Sequence, residues 1–143
     1  MAERVMNILL VEDDEVDIMN VKRAFKKVNL TNPLHVATNG IEALAMLRSS
    51  NGKPPEVPND RRLILLDLNM PKMGGIEFLQ ELRADPQLRP TPVVVMTTSN
   101  QDKDRVEAYN LNVAGYLLKP VTFNNFLELM ATLNKYWTLC EMP

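Results

Sequence analysis

Four places in this chain put a polar group directly after an apolar run. Asn7–Val11 (NILLV) is followed by Glu12, Asp13 and Asp14, Leu63–Leu66 by Asp67, Pro92–Met96 (PVVVM) by Thr97, and the run within Val113–Leu118 by Lys119. If the four runs lie side by side, two or three carboxylates, one hydroxyl and one ammonium converge on a point. Such a set suits phosphoryl transfer to a carboxylate. Hard oxygens collect Mg²⁺, which keeps several waters and binds through one or two carboxylates plus phosphate oxygens. Metal and ammonium can share the charge of a phosphoryl group in transfer, where catalysis is mostly positioning and electrostatics. A carboxylate nucleophile can carry an acyl phosphate, and the hydroxyl can bond a phosphoryl oxygen. Gathering the acids has a cost: two carboxylates about 5 Å apart repel by roughly 3 kcal/mol at an effective dielectric of about 20. A protein seldom accepts that without a metal or a task. Taken alone, Asp67 reads equally well as a turn former at the end of a strand; the other three strand ends tip the balance.

The elements that must position these groups alternate in type. After the first strand, Val21, Ala24, Phe25 and Val28 recur at helical spacing, so a helix is expected from about Glu15 to Val28. Asn32-Pro33 breaks the chain, and Leu34–Thr38 reads as a short strand. Asn39 can cap a second helix with Ile41, Leu44, Ala45 and Leu47 on one face, ending near Arg48. Ser49–Arg62, with three prolines, reads as a long solvated loop. The strand ending at Asp67 follows, then a loop holding Asn69, Met70, Pro71, Gly74 and Gly75. A helix from Ile76 comes next, with Leu79 and Leu82 facing in and Asp85-Pro86 stopping it. A helix over about Asp102–Leu111 separates the last two strands. A final helix, capped by Thr122, carries the stripe Phe126, Leu129, Met130, Leu133 and Trp137. Five βα units of this kind predict a parallel sheet covered on both faces, a doubly wound α/β sandwich. In such a sheet, residues just past the strand ends meet at one edge.

Composition narrows the rest. The chain has 143 residues, 45% apolar and 24% charged, enough for one domain with a real core. A net charge of −2 leaves no basic stripe for nucleic acid. The only cysteine, Cys140, cannot form an internal disulfide, which fits a reducing compartment. No signal sequence and no membrane-length apolar run is seen, so the expected location is cytoplasmic, without membrane attachment.

The segments VEDD, LLDLNMPKMGG, VVVMTTS and GYLLKP resemble the receiver domain of two-component response regulators, with Thr97 lying 30 and Lys119 52 residues after Asp67. The resemblance covers about residues 6–136 and treats 1–143 as one domain with 137–143 as an extension. It implies a flavodoxin-like (βα)5 fold with strand order 2-1-3-4-5, an order carried over from the family. It makes Asp67 the phosphoacceptor. Asp13 and Asp67, the Asn69 backbone carbonyl, and Glu12 through water would bind Mg²⁺ or, as a substitute, Mn²⁺. Thr97 and Lys119 would contact the phosphoryl group, Thr97 and Tyr116 would switch, and Lys119-Pro120 would be the family's cis peptide. Such a chain is a signalling module rather than an enzyme, phosphorylated by a sensor histidine kinase. The proline-rich loop, the DLNMPKMGG form and the tail YWTLCEMP are similar to cyanobacterial phytochrome-associated single-domain regulators, which implies a phytochrome-type kinase. With the chain stopping soon after the last helix, no DNA-binding output domain is expected.

Other readings stand beside this one. A binding module that never sees phosphate would not need Asp13, Asp67, Thr97 and Lys119 together. An aspartyl-phosphate hydrolase usually places its nucleophile after strand one with a second Asp two residues on, and here Asn69 holds that place. A flavin carrier is opposed by Glu12-Asp13-Asp14 in the first turn, which would repel phosphate. Asp13, Glu15 and Asp17 alternate as calcium ligands do, but Ile18 and Ala24 stand where that loop needs Gly and Glu. Asp14, Glu15 and Asp17 read instead as acids favouring a helix N-terminus. His35 reads as structural, and Thr98 and Ser99 as loop polarity, with tuning of phosphoryl lifetime the alternative for Ser99, two residues past Thr97. Finally, Trp137 and Leu139 extend an apolar stripe past the point a sheet would cover. They are therefore expected to form a homodimer contact.

Overall fold

The apolar runs pair in parallel. Strands β1 (Asn7–Val11), β2 (Leu34–Ala37), β3 (Arg62–Asp67), β4 (Val93–Thr97) and β5 (Gly115–Leu118) form one sheet in the order β2-β1-β3-β4-β5. Helices α1 (Glu15–Lys27), α2 (Gly40–Leu47) and α3 (Gly75–Ala84) connect the first four strands. The structure, a computed structural model of the chain, describes residues 6–27, 32–50, 52–58, 61–68, 70, 73–97, 106, 110–119, 124, 125, 127, 128 and 131. Most of the two helices expected after β4 and β5, with Thr122, lies outside these residues.

Successive strand residues point to opposite faces, and this alternation sets the layers. Ile8 and Leu10, Leu63 and Leu65, Val94 and Met96, and Leu117 pack with Val21, Ala24 and Phe25 of α1. Leu9 and Val11, Ile64 and Leu66, Val93 and Val95 pack on the other face with α2 and α3. Every residue of β1 and β3 is buried, which is why those runs show no polar alternation. The expected doubly wound, three-layer sandwich is the fold found.

Local chemistry fixes the helix ends. Asp14 caps α1, its Oδ1 accepting from the Val16 N–H at 2.8 Å and the Asp17 N–H at 3.2 Å. Asn39 caps α2 as expected, its Oδ1 accepting from the Glu42 N–H at 2.9 Å. The buried face of α2 differs from expectation. Gly40, Ala43, Leu44, Met46 and Leu47 are buried, whereas Ile41 is 58% exposed and Ala45 is exposed. The cause is a close approach at the helix start. A Cβ on Gly40 would lie 2.7 Å from Met73 Cγ, so the glycine faces in and the inner stripe follows from it at 43, 44 and 47.

The loop before β3 is mostly exposed, as its composition predicts, but it is anchored at Val57 and at Arg62 where the strand begins. Arg62 is buried and opens the strand. Its Nη2 donates to the Leu47 and Val57 carbonyls, both at 2.8 Å, and its Nε to the Pro58 carbonyl at 3.0 Å. Val57 is buried and its N–H donates to the Met46 carbonyl at 3.0 Å.

A second arginine ties three segments together. Arg83 of α3 donates to the carbonyls of Leu111 (2.8 Å), Arg89 (2.7 Å), Thr91 (2.8 Å) and Asn112 (2.7 Å). These carbonyls lie on the turn before β4 and the loop before β5, where Asn110 and Asn112 take left-handed φ of 56° and 49°. Hydrogen bonds to a charged group contribute roughly 1.5–3 kcal/mol each in favourable cases, less where solvent competes. Arg83→Met is therefore expected to lower stability in urea by about 2–4 kcal/mol. Arg89→Met, which removes an exposed side chain, should stay within about 0.5 kcal/mol. Equal effects of the two would refute this role for Arg83.

Candidate functional site

The two-residue alternation continues past the strand ends and selects which polar groups meet. Glu12 follows Leu10, Asp67 follows Leu65 and Lys119 follows Leu117, three residues of the face that packs on α1. Register puts them at one edge: Val11 pairs with Leu66, Asp67 with Met96, and Thr97 with Leu118. Helix α1 supplies a fourth group, Asp17, one helical turn before buried Val21.

Lys119 joins all of them. Its Nζ lies 2.8 Å from Glu12 Oε2, 2.9 Å from Asp17 Oδ2 and 3.4 Å from Asp67 Oδ2. An ammonium has three N–H donors, and three carboxylates lie within ion-pair distance of this one. Glu12 is wholly buried and Asp67 is 3% exposed, so leaving either charge without a partner would cost several kcal/mol. Burial pushes the Glu12 carboxyl up to about 7, against the opposing pull of Lys119 and of the Asp14 N–H. For Lys119, burial alone would lower the pKa. The bonds to Glu12 and Asp17, with the charge of Asp67, outweigh it and hold the ammonium above the usual lysine value.

Beyond this cluster lies an open depression of about 620 Å³, lined by Glu12, Asp13, Asp67, Lys119 and the start of α1. Asp13 is exposed, yet Glu12, Asp13 and Asp67 each offer a carboxylate oxygen within 4.8 Å of the others. Opposite ligands of Mg²⁺ stand about 4 Å apart, given metal–oxygen distances of about 2.0–2.1 Å. The three oxygens are thus the right element at nearly the right spacing for a hard divalent cation.

The loop after Asp67 is clamped by two glycines. A Cβ on Gly75 would meet the Leu68 Cα at 2.5 Å and the Asp67 carbonyl oxygen at 2.8 Å, so α3 can start against the loop only with glycine there. Met73 takes φ 67°, and its carbonyl accepts from the Gly40 N–H at 3.2 Å. This holds the far end of the loop to α2.

Of the residues expected in the site, Glu12, Asp13, Asp67 and Lys119 come together. Thr97 ends β4 at the same edge, its side chain outside the described set, as are Asn69, Thr98, Ser99, Pro120, Trp137, Leu139 and Cys140. Tyr116 is half-buried on β5, packed against the cluster on the α2–α3 face. His35 sits half-buried in β2, paired with Leu9. Asp17 stands in the first turn of α1 as the helix-dipole reading expects, and in addition lies 2.9 Å from Lys119 Nζ, a contact the sequence reading does not include. The signal was present, since Asp17, Val21 and Ala24 form one helical stripe and the polar member at its start must face the strand ends.

Three carboxylates near one ammonium leave net negative charge, and exposed Asp13 is the acid without a contact to Lys119. Removing it should relieve repulsion. Asp13→Asn is expected to raise Tm by about 2–5 °C in chelator, while weakening Mg²⁺ binding. A lower Tm in chelator would mean that Asp13 is held in a structural pair.

Comparison with known proteins bears on the same residues. Residues 8–131 match the response regulator receiver domain. The chain is 38% identical over 136 residues to the probable methanogenesis regulatory protein FilR2 of Methanothrix harundinacea, covering 95% of this chain and 86% of that one. It is 36% identical over 132 residues to response regulator Rcp1 of Synechocystis sp., covering 91% and 87%. A solved Mn²⁺-bound form of Rcp1 superimposes with a TM-score of 0.72 at 34% identity, over 96% of this chain and 99% of that one. The phosphorylated cyanobacterial phytochrome response regulator RcpA does so at 0.76 and 32% identity, over 98% and 99%. Sheet order, the acidic edge with its lysine, and these matches agree: the chain belongs to the response regulator receiver domain family.

Proposed function

We propose that this chain is a single-domain phosphorylation switch in which Asp67 accepts a phosphoryl group from the phosphohistidine of a sensor kinase. The observation that carries this reading is Asp67 itself, a 3%-exposed carboxylate with an ammonium 3.4 Å away and an open depression beside it. In the step, an Asp67 oxygen attacks phosphorus, the P–N bond breaks, the imidazole leaves with the electron pair, and an acyl phosphate forms. Lys119 offsets charge on the phosphoryl oxygens, and the Thr97 hydroxyl bonds one of them afterwards. Asp13 and Asp67, with the Asn69 backbone carbonyl and Glu12 through water, would hold Mg²⁺ or Mn²⁺. The metal's contribution, when bound, is to offset negative charge at the acids and on the phosphoryl group. The three hard oxygens and the Mn²⁺-bound Rcp1 structure support that assignment. The chain then acts as a signalling module whose only chemistry is gaining and losing its own phosphoryl group.

The kinase is proposed to be of the phytochrome type, on the strength of the likeness to RcpA. The similar score to FilR2 makes a different sensor the competing outcome, and the relative rates of transfer from purified kinases decide between them. The site of work is proposed to be the cytoplasm; among the described residues no helix is long and apolar enough to cross a membrane. Output is proposed to pass through Thr97 and Tyr116 on the β4–β5 side, with homodimerisation through Trp137 and Leu139. A phosphate-independent binding module is the alternative, and it leaves the Lys119 cluster without a purpose.

With acetyl phosphate and Mg²⁺, one phosphoryl adduct is expected by mass spectrometry, localised to Asp67. It should be absent in Asp67→Asn and in chelator. An unmodified wild-type chain would favour the binding module, and an undiminished adduct in Asp67→Asn would move the acceptor elsewhere. Beryllofluoride should shift the amide signals of Thr97 and Tyr116. Unaltered signals there, with beryllofluoride bound, would refute the switch through these residues.

A further inference from the structure

Lys119 cannot serve every group that wants it. Its Nζ is already within ion-pair distance of Glu12, Asp17 and Asp67, as many carboxylates as an ammonium has N–H donors, and the Asp67 contact is the longest, 3.4 Å against 2.8 Å and 2.9 Å. The ammonium therefore sits toward Glu12 and Asp17, away from the proposed acceptor. A phosphoryl group on Asp67 brings three new acceptor oxygens and further negative charge, so one existing bond must weaken for Lys119 to turn to it. Glu12 is a poor bond to give up, because its side chain has no solvent exposure and no water could replace the lost partner. Asp17 is the better one, since its side chain keeps 18% exposure and water can replace the lost partner.

We propose that Asp17 is a positioning residue that competes with the phosphoryl group for Lys119, holding the ammonium back in the unphosphorylated protein and releasing it on phosphorylation. This rests on the reading of Asp67 as phosphoacceptor. It also gives helix α1 a direct link to the state of Asp67. The Asp17 carboxylate lies in the first turn between Val16 and Met19, which are 65% and 48% exposed, so its release changes the charge beside an accessible apolar pair. Asp14 still caps the helix when Asp17 lets go.

The test is beryllofluoride affinity in saturating Mg²⁺ for the full chain, Asp17→Asn and Glu15→Gln. Glu15 lies in the same helical turn, is exposed, and makes no ion pair with Lys119 among the described residues, so it controls for loss of one negative charge. Removing a competing charge-assisted hydrogen bond should raise the affinity of Asp17→Asn about tenfold, and that of Glu15→Gln less than about threefold. In the wild type the amide signals of Val16, Asp17 and Ile18 should move on binding, and in Asp17→Asn they should move far less. Equal affinities for wild type and Asp17→Asn, or weaker binding by Asp17→Asn, would overturn the competition and leave phosphorylation of Asp67 standing. Matching gains in both variants would reduce Asp17 to general electrostatics and also overturn it. A wild type that binds no beryllofluoride would overturn both readings.

Discussion

One ammonium, Lys119, makes the functional edge of this sheet possible. Glu12 and Asp67 are almost fully buried, and Asp17 is largely so. Without a cation among them the three charges would repel one another in a medium that screens poorly. With it, the negative charge is partly offset and held in a fixed geometry, and exposed Asp13 remains to face the depression. The site is thus anionic enough to draw a divalent metal and compensated enough to fold before one arrives. That balance separates it from a surface cluster of acids, which would be hydrated and conformationally loose.

The remaining structure places β5 beside β4, and so brings Lys119 to the edge shared with the ends of β1 and β3. Parallel register does part of this, because five strands of matched phase bring their C-terminal residues to one line. Arg83 does another part by gathering four carbonyls, two of them on the loop that enters β5. The Asp67 side is fixed by backbone contact, since Gly75 lets α3 begin against the Asp67 and Leu68 main chain. The two sides of the site are therefore positioned by different devices, a half-buried guanidinium for the lysine and a glycine contact for the aspartate.

Much of this could be read in the sequence. Apolar runs alternating with helical stripes require a covered parallel sheet, and polar residues just past those runs must then meet. Glu12, Asp13, Asp67 and Lys119 were legible for that reason. Strand order came from family resemblance, because pattern alone does not say which strands are neighbours. The contact of Asp17 with Lys119 is harder to read because an acid in a first helical turn has a sufficient local explanation, and only its phase with Val21 and Ala24 shows that it faces inward. The inner face of α2 was misjudged for a tertiary reason: Met73 packs on Gly40 and sets the rotation of the helix. Neither buried Arg62 nor half-buried Arg83 is legible as a structural arginine, since the partners of both are backbone carbonyls from other turns.

The charge on Lys119 is the quantity on which this account turns, and the competing influences on it have opposite signs. Burial disfavours the ammonium and would bring its pKa below that of an ordinary lysine, about 10.4. Contact with Glu12, Asp17 and Asp67 favours it and prevails. The stability it contributes is then present below the unfolded-state pKa and lost only as pH rises through the higher folded value. Nuclear magnetic resonance of the Lys119 side chain, followed in chelator as pH is raised, tests this directly. The account predicts that Lys119 stays protonated after ordinary lysines, with a pKa of about 10.4, have titrated. Deprotonation at or below about 10.4 in the folded protein would contradict it.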